Sequence, residues 1–114
     1  MMRRALLLAI GLLLSQPSFA DPVPVPDSKS SYVGEWKGEG FLLTIQQNGK
    51  IHYKRNRRDF NADVNIELQS FNGDNFEAGV PYVHTTFVVS KPPHLDKGKW
   101  KMTVDGVELT KEKQ

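Results

Sequence analysis

The steps Asn48-Gly49, Asn72-Gly73 and Asp105-Gly106 each separate two runs in which apolar and polar residues alternate. Such steps favour the tight reversals of β-hairpins, and a period of two marks a strand with one buried face. From Tyr32 onward no run carries a helical period long enough to form a helix. The pattern therefore confines the chain to an all-β class built from antiparallel hairpins.

Register follows from which pairing gathers the apolar residues. A two-residue Asn48-Gly49 loop would set Phe41, Leu43 and Ile45 on one face and Ile51 and Tyr53 on the other. A three-residue Gln47-Asn48-Gly49 loop, with Gly49 left-handed, pairs Ile45 with Ile51 and Leu43 with Tyr53, so one face is buried. At Asp105-Gly106 the two-residue loop is the coherent one. It pairs Val104 with Val107 and Met102 with Leu109, continues the face to Trp100, and predicts a type I′ turn. Between these hairpins, Val64, Ile66 and Leu68 alternate with polar residues up to a reversal at Asn72-Gly73-Asp74. Phe76, Ala78 and Val80 are expected to return opposite Ser70, Leu68 and Ile66. Gly79 and Pro81 mark that return strand as an edge or a bulge. Val83–Ser90, with Phe87, is the most β-prone run, and Lys91–Gly98 reads as a loop before Trp100. The sum is one antiparallel meander of seven or eight strands, a closed or half-open barrel, with a two-layer sandwich as the alternative.

Ahead of this domain lie two other segments. Met1-Met2-Arg3-Arg4 is a basic start, Ala5 to Leu14 an apolar stretch, and Ser18-Phe19-Ala20 a small-residue cleavage site, so residues 1–20 read as a cleaved signal peptide. The apolar stretch falls short of the ~20 residues of a spanning helix. Cleavage after Ala20 leaves 94 of the 114 residues, enough for one core. Asp21-Pro22-Val23-Pro24-Val25-Pro26 and the polar residues after it predict an extended spacer over 21–31, with the β domain over 32–114. The expected location is periplasmic or secreted, with no membrane span after cleavage.

Charge and cysteine content remove several function classes. The chain carries 15 basic and 13 acidic residues. Loss of Arg3 and Arg4 leaves 13 of each, so no overall basic field points to nucleic acid or an anionic membrane. The sequence has no cysteine, which excludes disulfides, thiolate metal sites, a cysteine nucleophile and lipid attachment at the cleavage site. Stability must come from a core, assigned to Trp36, Leu43, Ile45, Ile51, Tyr53, Ile66, Leu68, Phe87, Trp100, Met102, Val104 and Leu109.

The opening strand, Val33-Gly34-Glu35-Trp36-Lys37-Gly38-Glu39-Gly40-Phe41, sets a tryptophan among glycines. Trp36 reads as a core plug and Gly38/Gly40 as the bend around it. Gly34-Glu35-Trp36 resembles the Gly-x-Trp that opens the first strand of lipocalin-like and avidin-like barrels. That resemblance implies an up-and-down ligand-binding barrel whose closed end the tryptophan fills. The chain departs from both families elsewhere: it is shorter than a lipocalin and lacks the biotin-contacting pattern. Lys91-Pro92-Pro93-His94 with Gly98–Leu109 is similar to the C-terminal half of a family of small exported bacterial proteins, to which no activity is attached.

Two clusters stand out as candidate binding residues. Lys54, Arg55, Arg57 and Arg58 flank Asn56 between Tyr53 and Phe60. Arginine forks suit phosphate, sulfated or acidic glycans, or an acidic protein face. The plain alternative is a solvated hairpin tip partly neutralised by Asp59 and Asp63. Pro92, Pro93 and His94 form a stiff segment beside Trp100, suited either to recognition or to rigid connection. His52, His84 and His94 lie in separate elements without metal-ligand spacing, and His52 falls on the outward face. Glu35 and Glu39 lie ~13 Å apart on a straight strand, too far for the ~5–9.5 Å of a glycosidase pair. Ser70 and Ser90 lack a nucleophile turn. The pattern predicts a non-enzymatic exported binding module, without cofactor or metal, for a protein or anionic envelope glycan. A lipocalin-like carrier of small ligands and an inhibitor or immunity protein of a secreted hydrolase are the alternatives.

Overall fold

The computed structural model describes residues 23–113; the expected signal peptide lies outside the described residues. Among the described residues nine strands form one antiparallel sheet. They are β1 (Gly34–Gly38), β2 (Phe41–Ile45), β3 (Lys50–Arg57), β4 (Phe60–Asn72), β5 (Asn75–Val80), β6 (Val83–Phe87), β7 (Val89–Asp96), β8 (Lys99–Val104) and β9 (Val107–Lys113). Their order across the sheet is β6-β5-β4-β3-β2-β1-β9-β8-β7. The sheet curls, because the Tyr53 ring on β3 meets the Phe87 ring on the non-neighbouring β6 at 5.2 Å. The edges β6 and β7 approach without pairing. The fold is thus a half-open barrel of nine strands, one more than the upper expectation, and not a sandwich.

Both registers argued from burial are present: Ile45 faces Ile51 and Leu43 faces Tyr53, while Val104 faces Val107 and Met102 faces Leu109. Gly49 has φ 93°, and Asp105 and Gly106 have φ 49° and 82°, the positive pair of a type I′ turn. The β4–β5 reversal differs. Leu68 faces Ala78 as expected, but Phe76 faces Phe71 rather than Ser70. The turn has two residues instead of three, and a register shift at Gln69 absorbs the difference. The bulge therefore belongs to β4, and β5 is an interior strand with β6 outside it.

The β-prone run Val83–Ser90 is divided at Val88. Its N–H donates to the Asp105 carboxylate at 3.0 Å, and its carbonyl accepts from the Asp105 N–H at 2.8 Å. With both backbone groups held by the β8–β9 turn, Val88 leaves the sheet, and the chain crosses from one edge to the other. The expected loop Lys91–Gly98 is instead mostly strand: Lys91 to Asp96 belong to β7, and only Lys97-Gly98 turn. Pro92 and Pro93 lack N–H donors, yet an edge strand tolerates them, and the β7–β8 ladder shifts register across them.

The expected spacer over 21–31 is corrected for its described part, 23–31. Val25 is 2% exposed and belongs to the core. The Val23 N–H donates to the Leu68 carbonyl and the Val25 N–H to the Gln47 carbonyl. Asp27–Tyr32 is a 3₁₀ helix. Alternating prolines leave the valines free to donate, so the segment bonds to β4 and to the β2–β3 turn rather than standing clear of them.

Trp36 is fully buried. Leu43, Ile45, Ile51, Ile66, Leu68, Phe87, Met102, Val104 and Leu109 are buried with it, and Tyr53 and Trp100 pack half-buried against them. The Lys111 ammonium lies 5.0 Å from the Trp36 ring and 5.4 Å from the Trp100 ring, so one cation bridges the two tryptophans. Burial lowers the Lys111 pKa. Gly38 is required where β1 meets β9: a Cβ there would stand 2.6 Å from the Glu108 carbonyl oxygen.

Candidate functional site

Antiparallel order sends the turns at 46–49, 73–74 and 97–98 to one end of the sheet and those at 39–40, 58–59, 81–82 and 105–106 to the other; where the sheet curls, Val88 and Val89 bring the 105–106 turn beside Asn75. The first end is closed by the N-terminal segment. The Tyr32 hydroxyl donates to the Asp74 carbonyl at 2.9 Å, and the Trp36 indole N–H donates to the Tyr32 carbonyl at 2.9 Å. Tyr32 packs edge-on against Phe71 and Phe76. Its burial, and then the nearby Asp74 charge, push its pKa up to about 12.

Among the described residues the second end is open. There β3 and β4 extend past β5 as a hairpin tip, and alternation decides what faces inward. Ile51 and Tyr53 face the core, so Arg55 and Arg57 share their face on β3. By register, Phe60, Ala62, Val64 and Ile66 lie opposite them on β4. The inner positions of β5 and β6 nearest this end are Ala78 with Val80 and Val83 with Thr85. These strands enclose a groove of about 570 Å³, lined chiefly by Tyr53, Phe60, Val64, Ile66, Val80 and Val83. Phe60 is 47% exposed and Val83 65%, a large apolar area left open to solvent. A smaller hollow of about 380 Å³ sets the polar groups of Lys50, His52 and Glu67 beside Ile51, Ile66, Val80 and Pro81.

Arg55 lies two residues beyond Tyr53 on β3, opposite Phe41 of β2 and outside the lining of this groove. Its guanidinium carbon lies 4.6 Å from the centre of the Phe41 ring, and Phe41 meets Tyr53 edge-on at 5.6 Å. The Arg55 Nε is buried without a protein hydrogen-bond partner. A buried N–H without an acceptor is costly and is rare in folded proteins.

The two candidate clusters are separated by the fold. Arg55 and Arg57 face inward, Lys54 lies on the outer face opposite Asp63, and Arg58 occupies the turn. The basic run is therefore two surfaces rather than one patch. Pro92, Pro93 and His94 lie on β7, at the far edge of the sheet from β3 by strand order, and His94 Nδ1 is 2.8 Å from the Pro92 carbonyl. His52 is on the outer face, with Nε2 2.7 Å from the Asp63 carboxylate. That hydrogen bond holds the Asp63 pKa below its usual value. Among the described residues no group of three or more potential ligands is close enough to hold a metal ion, and no helix is long and apolar enough to cross a membrane. The apolar groove was not anticipated from the sequence; its signal was the continuation of the Ile51/Tyr53 alternation into Arg55 and Arg57.

The fold and groove define a half-open antiparallel β-barrel with one sealed end. No protein-family model matches the chain, and neither a curated protein nor a solved structure shows significant similarity to it.

Proposed function

We propose that this chain is an exported, non-enzymatic binding module that takes a small molecule with an apolar body into the open end of its barrel. The observation that carries this reading is the groove of about 570 Å³ walled by Tyr53, Phe60, Val64, Val80 and Val83. Its volume lies within the ~300–1,000 Å³ of small-molecule sites. Contiguous exposed apolar surface on a concave face is a binding feature more often than a stability feature. The carrier reading gains support over recognition through surface loops, because Lys91–Asp96 forms an edge strand and half of the basic run turns inward.

Titration with the neutral fluorophore N-phenyl-1-naphthylamine tests the reading. Saturable one-site binding is expected, together with its loss in Val64→Asp at an unchanged melting temperature. Absence of saturable binding, or binding indifferent to Val64→Asp, would overturn it.

A further inference from the structure

We infer that the ligand of this groove is an amphipathic anion, whose apolar body lies against Tyr53, Phe60, Val64 and Val83 and whose carboxylate or phosphate head is received by Arg55 and Arg57. The inference rests on the groove being the binding site and adds the chemistry of what fills it.

Three observations carry it. The first is the distribution of charge. On the inner face of β1 to β6 every carboxylate is absent: Glu35, Asp63, Glu67 and Glu77 fall on the outer positions of their strands, while Glu39, Asp59 and Asp74 lie in turns. Arg55 and Arg57 are the charged residues at inner positions of those strands. Inward-facing cations without inward-facing acids give this stretch of the inner face, which continues the β3–β4 pair beyond the groove's lining, a single sign, and the low-dielectric wall strengthens attraction for an anion.

The second observation is the state of Arg55. Among the described residues neither Arg55 nor Arg57 joins an ion pair with an acidic side chain. The Arg55 Nε–H is buried without an acceptor. Its guanidinium lies over the Phe41 ring, which fixes the plane of the fork while leaving the edge donors to be satisfied. A carboxylate or phosphate oxygen supplies what is missing, through the short, charge-assisted hydrogen bonds that arginine forms with such oxyanions.

The third is continuity. Phe60 faces Arg57 across the β3–β4 ladder, and Ala62 faces Arg55. Tyr53, the next inner residue on β3, lines the groove. A molecule lying along this strand pair from the apolar wall would reach the arginines, which stand outside the groove's lining on the same inner face.

Competition against the bound neutral fluorophore, using the intact protein, tests the inference with chain-matched amphipaths: decanoate, decyl phosphate, decanol and decyltrimethylammonium. The expected result is that at least one of the two anions binds about tenfold or more tightly than decanol, the size expected of a charge-assisted hydrogen bond, and that the cation binds weakest. The two anions separate a fatty carboxylate from a phosphate head. Arg55→Met keeps a long side chain over Phe41 without its charge, and Arg57→Gln alters an exposed position. Each should reduce the preference for the anion while leaving decanol unchanged, and Arg55→Lys should retain part of it. Equal affinity for decanoate, decyl phosphate and decanol, or an anion preference untouched by both arginine variants, would overturn the inference while leaving the groove itself standing. Failure of all four to displace the fluorophore would also overturn the inference, while the groove reading stands or falls on the fluorophore titration and its loss in Val64→Asp.

Discussion

The two ends of this barrel are made from the same strands and differ in what their last residues do. At the closed end, Val25 and Tyr32 bring apolar side chains to a core that the turns would otherwise expose. The backbone of Val23, Val25 and Gln47 satisfies itself in the same contacts. Among the described residues no segment performs that service at the open end, and Phe60, Val64, Val80 and Val83 stay exposed on the concave face. The closed end spends its apolar residues on stability. The open end leaves comparable residues in water, where they contribute little to folding and are free to meet a ligand.

That contrast fails if mutations at the two ends have similar consequences. The largest effect is expected at Trp36, fully buried and tied to the closing segment through Tyr32. Trp36→Ala should cost about 3–5 kcal/mol in urea unfolding, a large part of the ~5–15 kcal/mol of a typical domain. A loss below 1 kcal/mol, on the scale of a surface change, would mean the closed end is not the stabilising one.

A middle-sized effect is expected at Tyr32. Tyr32→Phe removes the hydrogen bond to the Asp74 carbonyl and should cost about 1 kcal/mol. The same residue predicts a pH dependence. Its pKa is raised to about 12 in the fold and is about 10 in an unfolded chain. Above pH ~10 the unfolded state loses this proton first, so stability is fully present below that pH and falls as pH rises through the folded value. Urea unfolding across that window should show the decline in the native protein and a shallower one in Tyr32→Phe. Identical slopes would remove Tyr32 from the cause.

The smallest stability effect belongs to the open end. Val83→Ser should change unfolding free energy by no more than about 0.5 kcal/mol, the usual range for exposed positions, while weakening fluorophore binding. A stability loss on the scale of Trp36→Ala would place Val83 in the core of the fold and erase the difference between the ends.

What could be read in advance was local. The registers at Asn48-Gly49 and Asp105-Gly106 were legible because a strand flips every side chain when it slips by one residue. Only one loop length left a single apolar face. The β4–β5 register was half legible: Leu68 opposite Ala78 fits either turn length, since the bulge at Gln69 absorbs the extra residue. Strand β7 was illegible because prolines carry the mark of a loop until their place at an edge is known. Val25 was illegible because a valine between prolines reads as a spacer until something is found for it to pack against. The site followed the same division. The inward placement of Arg55 and Arg57 was available from the Ile51/Tyr53 alternation, but grouping the basic residues by proximity in the chain concealed it.

The sequence by itself determined an all-β hairpin chain, its two best registers, and a core centred on Trp36, because each depends on periodicity and turn chemistry over a few residues. The tertiary structure alone decided that the sheet curls, that its edges part at Val88, and that the described N-terminal segment packs over one end. Those outcomes depend on contacts between residues far apart in the chain, such as Val88 with Asp105 and Tyr32 with Asp74, which no local pattern encodes. The groove walled by Tyr53, Phe60, Val64, Val80 and Val83 is a consequence of that asymmetric closure.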